Sequence, residues 1–188
     1  MRNVQLYTDG SCSSHLKGKG LGGIGYILYF PDNQTLEQGS KGYYLSNNNR
    51  MELIAVLEGL KSLKKPHNVK IITDSQFVEA GIQKLLSSLE LPKSEQDLWR
   101  KLSLLIQQHK ISCSRSSSHP QIEQCHKLAN KARETPTTYD LGIIQEVNLH
   151  QEIRQLEEKQ KQLKRQVQMI QAQITILKST LEIICENK

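Results

Sequence analysis

The chain has 188 residues, with 25 Lys+Arg against 19 Asp+Glu, a formal net charge of +6 and 37% hydrophobic residues. That length holds one ordinary domain and an extension. The lack of any long apolar run excludes a membrane span and a signal peptide from the expectation. The charge is unevenly placed: residues 1–135 carry 18 Lys+Arg and 12 Asp+Glu, whereas residues 136–188 carry seven of each. A basic excess confined to the first part favours a polyanionic partner there. Cys12, Cys113, Cys125 and Cys185 lack the paired close spacing of a zinc site, so they read as reduced thiols of a cytoplasmic protein.

Val4, Leu6 and Thr8 alternate with Gln5 and Tyr7, which predicts a strand, and Asp9 stands at its end before Gly10. The loop over 13–23 is rich in Gly, yet it lacks the Gly-Lys-Ser/Thr ending of a phosphate-binding loop and no helix follows it. Instead a β-prone run over 22–30, the turn Pro31-Asp32-Asn33 and a returning strand over 35–44 predict an antiparallel meander. Asn47-Asn48-Asn49-Arg50 is an N-cap run; Met51, Leu53, Ile54, Leu57, Leu60 and Leu63 follow at helical spacing, with Glu52 in the first turn.

Residues 69–74 repeat the opening device, a buried strand ending in the acid Asp74, before Ser75-Gln76 and a second helix. An amphipathic helix over 95–109, with Trp99 as a packing residue, a short strand over 110–114 and a helix opened by His119-Pro120 complete the domain. Each acid alone has an ordinary explanation: Glu52 suits a helix dipole and Asp74 an N-cap. Two strands that both end Thr-Asp, together with a helix-start Glu, point instead to a shared site. Carboxylates must converge to hold divalent cations that ligate a phosphodiester.

Four stretches in order, Tyr7-Thr8-Asp9-Gly10-Ser11-Cys12, Gly22-Gly23 with Gly25-Tyr26, Asn48-Asn49-Arg50-Met51-Glu52-Leu53 and Thr73-Asp74-Ser75-Gln76, resemble type 1 ribonuclease H. His119-Pro120 with Glu123 and Cys125 is similar to that family's last motif. The resemblance implies an α/β ribonuclease H-like fold, a mixed five-stranded sheet with three antiparallel strands beside two parallel ones, flanked by helices. It implies cleavage of the RNA strand of an RNA–DNA hybrid with two Mg²⁺ (or Mn²⁺) ions. Asp9, Glu52 and Asp74 match the family's metal-binding carboxylates. Asn48, Asn49 and Gln76 match positions that contact the hybrid in its minor groove, and Ser11 and Cys12 line the groove beside the first acid.

There are three departures from the family pattern. The fourth carboxylate falls at His126, which enters the expected catalytic and metal set; the loop histidine falls at Ser116; and the basic protrusion is absent. An attenuated endonuclease is therefore expected, against the alternative of a hybrid-binding or scaffold module that no longer cuts.

After Thr135-Pro136-Thr137-Thr138 the composition turns to Gln, Glu, Lys and aliphatics. Leu149, Ile153, Leu156, Gln160, Leu163, Val167, Ile170, Ile174, Leu177, Leu181 and Ile184 repeat with four-three spacing, a coiled-coil signal. The expected division is a domain over 1–134, a linker over 135–146 and a long coiled-coil helix over 147–187 that makes a homo-oligomer. Branched residues at one seam position favour parallel pairing while the flanking charges do not, so orientation stays open.

Overall fold

The computed structural model describes residues 1–13, 18–88 and 90–186, with side chains up to Leu181. Part of the Gly-rich loop, Leu89, and the Ile184 and Cys185 side chains lie outside the described residues. The strands are β1 (Arg2–Cys12), β2 (Gly20–Phe30), β3 (Thr35–Ser46), β4 (His67–Thr73) and β5 (Lys110–Arg115). The helices are α1 (Asn48–Ser62), α2 (Gln76–Ser88), α3 (Gln96–Ile106), α4 (Pro120–Glu134) and α5 (Leu141–Glu186).

One sheet forms in the order β3-β2-β1-β4-β5. Its first three strands are antiparallel, and β4 and β5 run parallel to β1. This is the expected mixed sheet.

Strand alternation sorts the side chains onto two faces. Val4, Leu6, Ile24 and Ile71 pack against α1, α2 and α3 in the larger core. Tyr7, Ile27 and Ile72 pack against Ile122 and Cys125 of α4 in a smaller one. α1 is buried nearly all round, from Arg50 to Leu57, because it lies between the sheet and α3. Trp99 is fully buried, edge-on to Phe77 with ring centroids 5.7 Å apart. It is a core residue, as its helical position predicts.

Residues 137–138 close part of the exposed β3 edge. Thr138 N donates to Gly42 O at 3.2 Å, and Tyr44 N donates to Thr138 O at 2.9 Å. Satisfying edge groups in this way removes a template for non-native pairing. α5 then starts at Leu141, inside the segment read as linker, and Ile143 is fully buried.

The chain divides into two compact units, Met1–Ile143 and Ile144–Lys188. The second is helical, and its described apolar seam residues, from Leu149 to Leu181, are each at least 44% exposed. Among the described residues no helix is long and apolar enough to cross a membrane.

Candidate active site

The site forms where the parallel pairing of β1 and β4 stops. Register runs from Arg2 opposite His67 to Thr8 opposite Thr73, and the next residues are Asp9 and Asp74. β4 ends there, whereas β1 continues to Cys12, three residues beyond the point where the sequence ends it. Continued antiparallel pairing with β2 carries it on, Gly10 opposite Ile24 and Cys12 opposite Gly22. Asp9 is thus held on a paired strand, not on a loop.

Glu52 reaches Asp9 because α1 touches β1 at Gly10. A Cβ on Gly10 would overlap the Glu52 backbone nitrogen. Asn47 caps α1, its Oδ1 accepting from Arg50 N at 2.9 Å, and its Nδ2 donates to Glu95 Oε1 at 2.9 Å. Arg50 fixes this end further. Its guanidinium forks onto Asp140 (2.6 and 2.8 Å) and Asp97 (2.7 and 2.8 Å) and donates to Glu95 (2.7 Å). Ser46 Oγ donates to Asp140 at 2.7 Å. These bonds hold Asp97 below the usual carboxylate range.

Asp9, Glu52 and Asp74 each offer an oxygen within 4.8 Å of the others. Asp9 and Glu52 are buried and Asp74 is exposed. Burial, then the Asp74 charge, pushes Asp9 up to about 6 against the opposing His126 hydrogen bond. Burial, then Asp9 and Asp74, pushes Glu52 up to about 9. Glu52 Oε2 is buried with no hydrogen-bond partner. An ionised oxygen without a partner is expensive inside a protein, and a bound divalent cation relieves both that deficit and the mutual repulsion. An all-oxygen donor set suits a hard cation such as Mg²⁺ or Mn²⁺.

His126, on α4, places Nδ1 2.9 Å from Asp9 Oδ2 and is 58% exposed. Ionised Asp9 only accepts, so Nδ1 carries the hydrogen and Nε2 is left for other partners. His126 therefore touches the cluster through Asp9.

Asn48 and Asn49 are exposed at the start of α1, and Gln76 is exposed at the start of α2, two residues from Asp74. They flank the acids from two helix N-termini. Ser11 and Cys12 turn inward instead. The Ser11 hydroxyl bonds Asn130 and Arg133 at 2.6 Å each. Cys12 Sγ donates to Ser46 O at 3.4 Å. Ser116 N continues the β4–β5 ladder to Thr73 O at 2.9 Å.

Sequence reasoning missed Arg50, Asn130 and Arg133. Asn130 and Arg133 lie four and seven residues past His126, so projecting α4 onto one face would have found them. The partner of Arg50 at Asp140 is 90 residues away and carries no local signal.

Sheet order and acid cluster together define a class, the ribonuclease H-like proteins with a carboxylate centre at the β1–β4 splay. The RNase H family matches residues 1–134. Ribonuclease HI of Haemophilus influenzae (strain ATCC 51907 / DSM 11121 / KW20 / Rd) is 39% identical over 158 residues, covering 77% of this chain and 99% of that protein. Ribonuclease HI of Pasteurella multocida (strain Pm70) is 39% identical over 153 residues, covering 75% and 96%. Among solved structures, LC11-RNase H1 in complex with RNA/DNA hybrid superposes with a TM-score of 0.58 at 18% identity, covering 70% of this chain and 96% of that one. This chain belongs to the ribonuclease H family.

Proposed function

We propose that this chain is an endonuclease that hydrolyses the RNA strand of RNA–DNA hybrids, with Asp9, Glu52 and Asp74 holding two divalent cations, Mg²⁺ or Mn²⁺. The observation that carries this is the buried, partnerless Glu52 Oε2 inside a three-acid cluster on a ribonuclease H sheet. When bound, such cations supply charge neutralisation at the phosphodiester and lower the pKa of a coordinated water.

The chain's own residues supply position. Asp9 is fixed by strand pairing on one side and by His126 Nδ1 on the other. His126 orients Asp9, and its Nε2 is the atom left to bind a cation or pass a proton to solvent. Asn48, Asn49 and Gln76 are amides on two helix N-termini beside the acids, and amide groups both donate to and accept from 2′-hydroxyls. Ser11 and Cys12 shape the β1 end of the groove.

The second unit makes the protein an oligomer. Its exposed apolar seam with a four-three period is what a coiled coil buries. Joining domains raises effective concentration on a long hybrid, which compensates for weak binding by each. Free thiols at Cys12, Cys113 and Cys125 suit a cytoplasmic setting.

The test is incubation of a hybrid labelled on its RNA strand with Mg²⁺ or Mn²⁺. RNA-strand cleavage that Asp9→Asn abolishes is the expected result. Absence of cleavage with both metals, while the hybrid still binds, replaces the enzyme by a hybrid-binding module. Light scattering tests the oligomer: a mass of 21.5 kDa at micromolar concentration contradicts it.

A further inference from the structure

The face of α4 that carries His126 continues with Asn130 and Arg133, and both meet Ser11, two residues beyond Asp9 on the same face of β1. The Ser11 hydroxyl donates to Asn130 Oδ1 at 2.6 Å and accepts from Arg133 Nη1 at 2.6 Å. α4 lies this close because β2 places glycine opposite each of these β1 residues. Gly25 pairs with Asp9 and Gly23 with Ser11. A Cβ at Gly25 would overlap Cys125 O, and one at Gly23 would overlap Ala129 O. The same two glycines therefore bring His126 to the acids and Arg133 to Ser11.

What this trio leaves unused is one-sided. Ser11 uses its hydrogen and a lone pair within the trio. Asn130 Nδ2 and the remaining N–H groups of Arg133 are donors without an acceptor in the trio. Among the described residues no carboxylate forms an ion pair with Arg133. A cluster whose unused capacity is mostly donors, with a full positive charge, selects an anion with several acceptor oxygens. The guanidinium fork matches a phosphate bidentately.

An Arg in the last turn of a helix is often no more than a partner for the helix dipole. Lys131 shares that last turn and is exposed. Arg133 differs in being pinned to the strand that carries Asp9. The pin reduces the side-chain entropy that binding would otherwise remove.

We propose that Arg133, held by Ser11 and flanked by Asn130, binds a backbone phosphate of the nucleic acid beside the acid cluster. The proposal rests on the hybrid-nuclease reading above. A pinned cation one strand step from three acids offsets their repulsion of the phosphodiester backbone. Ser11 is then a positioning residue, not a contact.

The experiment is hybrid binding by fluorescence anisotropy over a range of salt concentrations. It uses the full chain in an Asp9→Asn background so that no turnover occurs. Arg133→Ala should weaken binding about fivefold to tenfold and flatten the dependence of log K on log salt by about 0.7–0.9, one phosphate's worth. Arg133→Lys, which keeps the charge and loses the fork, should weaken binding while keeping the slope. Ser11→Ala should do the same by a smaller factor. Lys131→Ala removes equal charge and should leave the slope unchanged.

A wild-type slope in Arg133→Ala overturns the proposal, and so does an equal flattening in Lys131→Ala. If Arg133→Ala unfolds, the Arg133→Lys and Ser11→Ala results decide, and parent-like affinity in both overturns it. A parent protein that does not bind hybrid at all overturns the hybrid reading itself.

Discussion

Arg50 and Glu52 lie two residues apart on α1, at 3% and 6% exposure, and their surroundings are opposites. Arg50 spends its guanidinium on three carboxylates, one of them the buried Asp140, with Ser46 completing the set. Glu52 faces two further acids and leaves Oε2 without a partner. In the first cluster Arg50 hydrogen-bonds every one of its carboxylates; the second lacks positive charge. A buried charge that is fully hydrogen-bonded can be tolerated for structure alone, whereas one left short is a liability that a proton or a bound cation removes. α1 therefore carries a structural anchor and a functional deficit within one turn of each other.

Breaking the first cluster should have the largest effect on stability. The net worth of a buried ion network is small, yet removing one member strands the others. Arg50→Ala leaves Asp140 buried and unpaired and should cost about 3–5 kcal/mol in urea unfolding. At roughly 2–4 °C per kcal/mol for a chain of this size, the melting temperature should fall on the order of 10 °C. A loss below about 1 kcal/mol would mean that water already satisfies these acids.

The deficient cluster should respond to pH through its cation affinity. Asp9 is raised to about 6 and Glu52 to about 9, so protons compete with the metal throughout this window. Mg²⁺ affinity measured by calorimetry should rise as pH goes from 6 to 9, on the order of tenfold per unit where one proton is released. A pH-independent affinity would mean that the acids are already ionised without metal.

The smallest effect is expected at the joint between cluster and solvent. The His126 hydrogen bond lowers the Asp9 pKa, so its removal raises it. His126→Ala should shift the acid limb of the pH–rate profile to higher pH by about half a unit to one unit. An unmoved limb with reduced rate would instead make His126 a ligand or proton carrier through Nε2.

The same contrast explains what was legible in the sequence. The antiparallel meander and most helices followed from strand alternation, turn signals and helical spacing, because those depend on neighbours in sequence; the mixed five-stranded sheet followed only from the resemblance to ribonuclease H. Asp9, Glu52 and Asp74 were legible as a set because two strands end in the same Thr-Asp pair. The continuation of β1 to Cys12 was not, since it depends on the antiparallel register with β2. Nor was the inward turn of Ser11, which requires α4 to lie against Gly23 and Gly25. Arg50 read as part of a capping run; its acids come from α3 and from the root of α5, joined only by the fold.

Glu52→Gln, unfolded thermally across pH with and without Mg²⁺, tests the deficit most directly. An acid whose folded pKa is raised destabilises the native state as pH climbs from its unfolded value, 4.5, toward about 9. Without metal, wild type and variant should match near pH 4. At pH 8 the variant should be more stable by several kcal/mol, on the order of 10 °C in melting temperature. Mg²⁺ should then raise the wild-type melting temperature more than that of the variant and close the gap. Equal stability at pH 8 without metal, together with equal response to Mg²⁺, would contradict the account.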